Sequence, residues 1–349
     1  MAYTTIDDPT IYFNTKLYSG TGSSNSVTGV GFQPDLTWIK SRSVNGAGHR
    51  WHDSVRGAGN MIASDSTAAE FDDSALFTSF DTDGFTVAGT GSSYNGSSQT
   101  YASWNWLAGG SASSNSSGDI TSSVSVDTTA GFSIVSYTGN GSSGATVGHS
   151  LSAKPGLMII KNRDEADSWQ VYHHKNTSAP ATETLQLNET GATSDTSNRW
   201  NDTEPTTTLF TLGDNTTVNK NTIKYIGYIF AEKKGYSKFG SYTGNGNADG
   251  TFVYTGQKSA FVMIKQTNAT GENWFICDNK RAGYNAENNR LMPNISAVEQ
   301  TDSPIDILSN GFKARETGAK VNASGGTYIY MCFAENPFVT STGIPTTAR

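Results

Sequence analysis

The strongest constraint on the fold is that the chain repeats itself. Tyr18-Ser-Gly-Thr-Gly22 recurs as Tyr137-Thr-Gly-Asn-Gly141 and again as Tyr242-Thr-Gly-Asn-Gly246, at spacings of 119 and 105 residues. Each is followed by a segment ending in lysine: Gln33-Pro-Asp-Leu-Thr-Trp-Ile-Lys40, Lys154-Pro-Gly-Leu-Met-Ile-Ile-Lys161 and Lys258-Ser-Ala-Phe-Val-Met-Ile-Lys265. A tryptophan then opens a second segment at Trp51, Trp169 and Trp274, and the three read as one position in register. Each copy closes on an aromatic run: Tyr101 to Ala108, Tyr225 to Glu232 and Tyr328 to Glu335. Four landmarks in one order at three places predict three divergent copies of one foldable unit.

The landmarks read as strands. In Tyr328 to Glu335, side chains alternate between Tyr328, Tyr330, Cys332 and Ala334 on one face and Ile329, Met331 and Phe333 on the other. Both faces are apolar, as in a central strand covered on both sides. The run Leu157 to Ile160 is similar, and Lys161 marks where it should emerge into solvent. Tyr-Thr-Gly-Asn-Gly joins an aromatic anchor to residues that tolerate positive φ, as a tight turn requires. Apolar residues seldom recur at helical spacing, and Gly, Ser, Thr and Asn are abundant. The expected fold class is therefore all-β with little helix: three tandem antiparallel β-sandwich modules, jelly-roll or concanavalin-like, with barrel and propeller alternatives open.

The same landmarks set the boundaries. Module one covers 1–108, module two 132–234 and module three 235–338. Residues 109–131 read as a Ser/Gly-rich linker, a flexible connector over Gly109 to Gly118 followed by an extended Ser/Thr/Val segment, which would let module one reorient. Modules two and three have almost no slack between them and should pack rigidly. The tail 339–349 lacks periodicity and is expected to order only against a neighbour.

Composition excludes several function classes. The net charge of −7 and the absence of a basic cluster longer than Lys233-Lys234 argue against nucleic-acid partners. No stretch approaches the apolar length of a membrane span and the N-terminus carries no secretory signal, so synthesis in the cytoplasm without membrane insertion is expected. The ten Asn-x-Ser/Thr sequons then reflect composition. Cys277 and Cys332 read as two buried thiols or, alternatively, as one disulfide within module three.

The repeat tests each chemical motif. Gly139-Asn-Gly-Ser-Ser-Gly144 has dinucleotide-binding spacing, but no helix follows it and the other two turns lack the third glycine in register, so a turn is expected. Asp81-Thr-Asp-Gly-Phe85 resembles the start of a calcium loop, yet Leu308-Ser-Asn-Gly-Phe312 keeps only the Gly-Phe, which fits a hairpin turn. Asp72-Asp73 has no counterpart in the other copies and reads as solvated loop. His173 and His174, adjacent on a strand, would point to opposite faces, and His49, His52 and His149 are scattered, so neither metal nor cofactor is expected. No Gly-x-Ser-x-Gly elbow is present, and no Cys/His or carboxylate pairing recurs between copies, so catalysis is not expected. A glycosidase pair assembled in space is the enzymatic alternative. Trp51, Trp169 and Trp274 read as core, and their neighbours His52, Tyr172 and His173 remain as a candidate ligand surface.

The chain resembles a family of virion structural proteins of tailed bacteriophages of marine bacteria, described as tail-fibre-like or lectin-like. The resemblance spans nearly the whole chain. Its carriers are Tyr12 to Tyr18, Gly31 to Lys40, Ser103-Trp-Asn-Trp-Leu-Ala-Gly-Gly110, Gly235 to Gly250 and Ile344-Pro-Thr-Thr-Ala-Arg349. It implies a place on the outer surface of a virus particle, decorating or cementing the capsid or tail. The alternative is a tail-fibre adhesin for host attachment through surface glycan. Neither coiled-coil heptads nor a shaft repeat is present, which favours decoration. Other virion proteins and further copies of the chain are the expected partners, with host glycan as a further candidate.

Overall fold

A computed structural model describes residues 2–346 apart from 283 and 286. It is all-β, and its described helices are four-residue turns, Ser197–Trp200 and Thr216–Asn219, beside two short 3-10 segments. Each module contains the same antiparallel order of four strands, a whole sheet in modules one and three and the middle of an eight-stranded sheet in module two. The opening strand pairs the closing strand, the closing strand pairs the lysine strand, and the lysine strand pairs a short fourth strand. In module one these are Phe13–Ser19, Thr100–Trp106, Leu36–Ser41 and Arg50–Asp53. In module two they are Phe132–Thr138, Lys224–Phe230, Leu157–Asn162 and Gln170–His173. In module three they are Ser237–Thr243, Thr327–Pro337, Gln257–Gln266 and Phe275–Asp278.

Strand register makes the comparison residue by residue. Leu36, Leu157 and Phe261 face Trp106, Phe230 and Phe333 across the ladder, and Asp53, His173 and Asp278 on the other side. The sequence reading of the tryptophans is therefore corrected. Trp51 occupies the place of Val171 and Ile276, and the residue equivalent to Trp169 and Trp274 is His49. Module one carries a histidine at the tryptophan position and its own tryptophan two residues farther along the strand, and tryptophan spacing alone does not fix register.

One face of each of these four-strand units packs on a second sheet of its own module, of three strands in module one, two in module two and four in module three. Val27, Ile39, Phe77, Phe85 and Tyr101 share one cluster. Val147, Ile160, Phe210 and Tyr225 share the second, and Val253, Ile264, Phe312 and Tyr328 the third. The opposite faces meet one another in a single core built from all three modules. At its middle the equivalent rings of Trp106, Phe230 and Phe333 touch pairwise, with centroids 5.5, 5.7 and 6.5 Å apart. That is an approximate threefold axis inside one chain, and it explains why the closing strands are apolar on both faces.

This arrangement overturns the expected freedom of module one, because its Phe13, Leu36, Trp38, Trp104 and Trp106 belong to the shared core and would be uncovered if that module swung away. It also overturns the flexible linker. Ser113–Asn115 and Ser122–Asp127 form strands, the second pairing with Phe132–Thr138 and the first lying outside it as the edge of module two's sheet. Alternating Ser and Val at 123–126 supplies the strand pattern of the segment expected to be extended, while the connector before it also carries a strand. Residues 339–346 of the tail fold back, with a bridge between Val339 and Pro345, and the Ser341 amide donates to Asp7 at 2.6 Å. The last three residues of that expected tail lie outside the described residues.

The Tyr-x-Gly-x-Gly signature has a common cause in all three modules. Tyr18, Tyr137 and Tyr242 stack on Tyr101, Tyr225 and Tyr328 at 4.9, 5.2 and 4.9 Å. Buried Asn95, Asn219 and Asn322 accept from the turn amides of Thr21, Asn140 and Asn245 at 2.9 to 3.0 Å. A Cβ on Gly20, Gly139 or Gly244 would meet the backbone carbonyl of Gly96, Lys220 or Ala323 at 2.2 to 2.4 Å, so only glycine fits there.

Candidate functional site

The chemistry-bearing side chains collect at the three junctions between modules, where each motif points from one module into the next in a closed cycle. His49 Nε2 donates to the Met292 carbonyl of module three, Trp169 Nε1 to Ala63 of module one and Trp274 Nε1 to Gln186 of module two, each at 2.9 Å. His49 Nδ1 accepts from Trp38 Nε1 at 2.8 Å, which fixes a neutral imidazole. Burial holds the His49 pKa well below the ordinary histidine value, with the Lys40 ammonium acting in the same sense.

Below this ring lie two copies of one ion network. Asp53 and Arg56 pair at 2.5 Å, Arg56 reaches Glu70 at 2.9 Å, and Glu70 is held by Arg163 of module two at 2.8 Å. The Tyr228 hydroxyl, also of module two, donates to Asp53 at 2.8 Å. At the junction of modules one and three, Asp278 and Arg281 pair at 2.6 Å, Arg281 reaches Glu299 at 3.0 Å, and Arg42 completes the chain at 2.8 Å. Trp104 Nε1 takes the place of the tyrosine hydroxyl and donates to Asp278 at 3.0 Å. Burial by itself would lower both inner guanidinium pKa values; the carboxylates of Asp53 and Glu70, with Tyr228, and of Asp278 and Glu299, with Cys277, outweigh it and hold them raised.

The third junction, between modules two and three, is neutral at the same positions. His173 stands for the aspartate, Asn176 for the inner arginine, Thr193 for the glutamate and Thr267 for the outer arginine. Thr193 Oγ1 donates to Asn176 Oδ1 at 2.8 Å, and the Thr193 amide to the Thr267 carbonyl at 2.8 Å. His173 Nε2 donates to the Tyr330 carbonyl at 3.1 Å while its Nδ1 accepts from the Lys175 amide. Burial, the largest influence, brings its pKa down to about 3.

Lys40, Lys161 and Lys265 are equivalent and buried, so Lys161 does not emerge into solvent as its sequence position suggested. Their ammonium groups donate to backbone carbonyls, including Ser296 for Lys40, Asn162 for Lys161 and Thr190 for Lys265. Burial brings each pKa down to about 8.

The expected ligand surface is corrected as well. His52, Tyr172 and His173 are 0, 0 and 2 % exposed and are interior residues. His52 Nδ1 donates to the Ala58 carbonyl at 2.7 Å and Tyr172 packs edge-on against Trp200. In the Asp81 turn, the Asp83 carboxylate is occupied by the Gly29 and Gly31 amides at 2.8 and 2.6 Å, while Asp81 accepts from Ser79 and Thr86. Cys277 and Cys332 are both buried thiols on strands flanking the lysine strand, and burial pushes Cys332 up to about 12. Among the described residues no group of three His, Cys, Asp or Glu is placed to hold a metal, and no helix is long and apolar enough to cross a membrane.

The surface carries two shallow clefts at equivalent places. One, of about 440 Å³, is lined by Ser136, Thr138, Arg163 and Lys224; the other, of about 340 Å³, by Ser241, Thr243, Thr327 and Lys175. Both are walled largely by hydroxyl groups. Sequence reading missed the junction networks, although Asp53-x-x-Arg56 and Asp278-x-x-Arg281 repeat at the same offset after their strands.

One family model matches residues 8–337, and its description is a domain of unknown function, DUF7483. The chain belongs to that family. The match treats all three modules as one unit, in keeping with a core that none of them completes alone. No curated protein and no solved structure matches the chain.

Proposed function

We propose that this chain is a non-enzymatic structural component on the outer surface of a virus particle, where it decorates or cements the capsid or tail. The supporting observation is how its reactive side chains are used. His49, Asp53, Arg56, His173, Asp278 and Arg281 are all buried at module junctions, holding the body together. Side chains committed in this way make a rigid block whose outer strands and loops are left to meet neighbours. The resemblance to tail-fibre-like and lectin-like virion proteins supplies the setting, with other virion proteins and further copies of the chain as partners.

Adhesion to host surface glycan is the second reading, favoured by the hydroxyl-lined cleft beside Lys224. Quantitative mass spectrometry of purified particles of the encoding virus separates the possibilities. Hundreds of copies per particle are expected for capsid decoration and a few to a few dozen for the tail, whereas particles lacking the chain would overturn the proposal. Purified protein that blocks adsorption of the virus to cells would favour the adhesin over decoration.

A further inference from the structure

The internal symmetry is broken most clearly at the outer edges of the sheets. In module two, both edges beside the opening turn are covered by the segment that precedes Phe132. Ile120 bridges Val147 in parallel, its amide donates to the Thr146 carbonyl at 3.0 Å, and the Asp119 carboxylate accepts from the Thr146 amide and hydroxyl at 3.0 and 2.8 Å. The segment then crosses to the opening strand, where Ser122 lies opposite Tyr137. Among the described residues module three has no such segment, and only a few residues separate it from module two.

The vacant counterpart in module three can be traced by register. Val253 pairs with Phe312 as Val147 pairs with Phe210, so Phe252 stands at the place of Thr146. The Thr251 carbonyl and the Thr255 amide bond inward to Ala314 and Asn310, so the Phe252 and Tyr254 backbone groups face away from the sheet. Their side chains are 46 and 56 % exposed, whereas module one carries Ser26 at the position of Phe252. Farther along the same path, the opening strand is capped at Phe239, whose amide donates to Glu232 and whose carbonyl accepts from His174 at 2.8 and 2.7 Å. Beyond that cap the edge opens at Ser241, in the cleft of about 340 Å³. An unpaired edge beside exposed aromatic rings is a template for an added strand.

We propose that module three receives an extended segment of a partner polypeptide along this path, as module two receives residues 119–124 of its own chain. The occupant carries an aspartate to accept from the Phe252 amide, then a β-branched apolar residue, then small polar residues that run over Tyr242 to Ser241. The rings of Phe252 and Tyr254 cover its outer side. The inference holds whether or not the chain belongs to a virus particle.

The test uses the full chain and a labelled synthetic peptide with the sequence of residues 117–127. Saturable one-to-one binding below about 1 mM is expected by fluorescence anisotropy, with new hydrogen-exchange protection at Phe252, Tyr254 and Ser241. Binding should weaken about tenfold either with a peptide carrying Asp119→Ala or with protein carrying Phe252→Pro, which removes the outward amide at an edge position that tolerates proline. The peptide variant leaves the protein untouched and so reports even if Phe252→Pro folds poorly. No binding, protection confined to Thr146 and its neighbours, or equal binding by both variants would overturn the proposal.

Discussion

Two of the three junctions are held by buried ions and the third by neutral hydrogen bonds, although the surrounding backbone is the same. Around Arg56 and Arg281 every charged group has an oppositely charged partner within 3.0 Å, and each network crosses a module boundary. Around Asn176 the same space holds amide and hydroxyl groups. The comparison teaches that this geometry does not need charge to form, since the neutral junction closes equally well. What charge adds is intolerance of a wrong partner, because an ion stranded inside the body is costly while a stranded hydroxyl is much less so.

The largest effect should come from breaking one charged junction. Asp278→Ala leaves Arg281 without its nearest partner and Trp104 without an acceptor, and a loss of about 3–5 kcal/mol is expected in urea denaturation. A loss below about 1 kcal/mol would mean that the network is dispensable and that the two kinds of junction are energetically alike.

Acid should weaken the neutral junction through His173. Its folded pKa, near 3, lies below the unfolded value of about 6.5, so its contribution is fully present above pH 6.5 and is lost as pH falls from there toward 3. At pH 5 the loss is about 2 kcal/mol for this group. His173→Gln should flatten that part of the stability curve relative to the parent chain, and an unchanged slope would place the acid sensitivity elsewhere. His49 contributes in the same direction at the junction of modules one and three.

The smallest effect is expected at Asn176. Asn176→Ala removes the acceptor for Thr193 and should cost about 1 kcal/mol in the same denaturation experiment. A cost matching Asp278→Ala would erase the distinction between the junctions.

Much of the architecture was legible because local patterns and the repeat agree. The strand at Tyr328 has both faces covered, the Tyr-x-Gly-x-Gly turns form alike, and the lysine strands pair alike. The candidate site was legible only in part. Asp53-x-x-Arg56 and Asp278-x-x-Arg281 are visible as text, but their third and fourth members, Glu70 with Arg163 and Glu299 with Arg42, lie 93 and 257 residues apart. Nothing local joins them. His52 and Tyr172 looked like outward neighbours of core tryptophans because a strand normally alternates between inside and outside; here both faces are inside, and alternation lost its meaning.

By itself, the sequence determined three β units with shared interiors, because strand period, turn chemistry and internal repetition act over a few residues and survive divergence. Only the tertiary structure decided that the units close around one axis, bury their lysines and histidines, and turn a serine-rich connector into an edge strand. Those outcomes depend on which surfaces meet after folding, and burial is a property of the neighbours a residue acquires, not of its own stretch of chain.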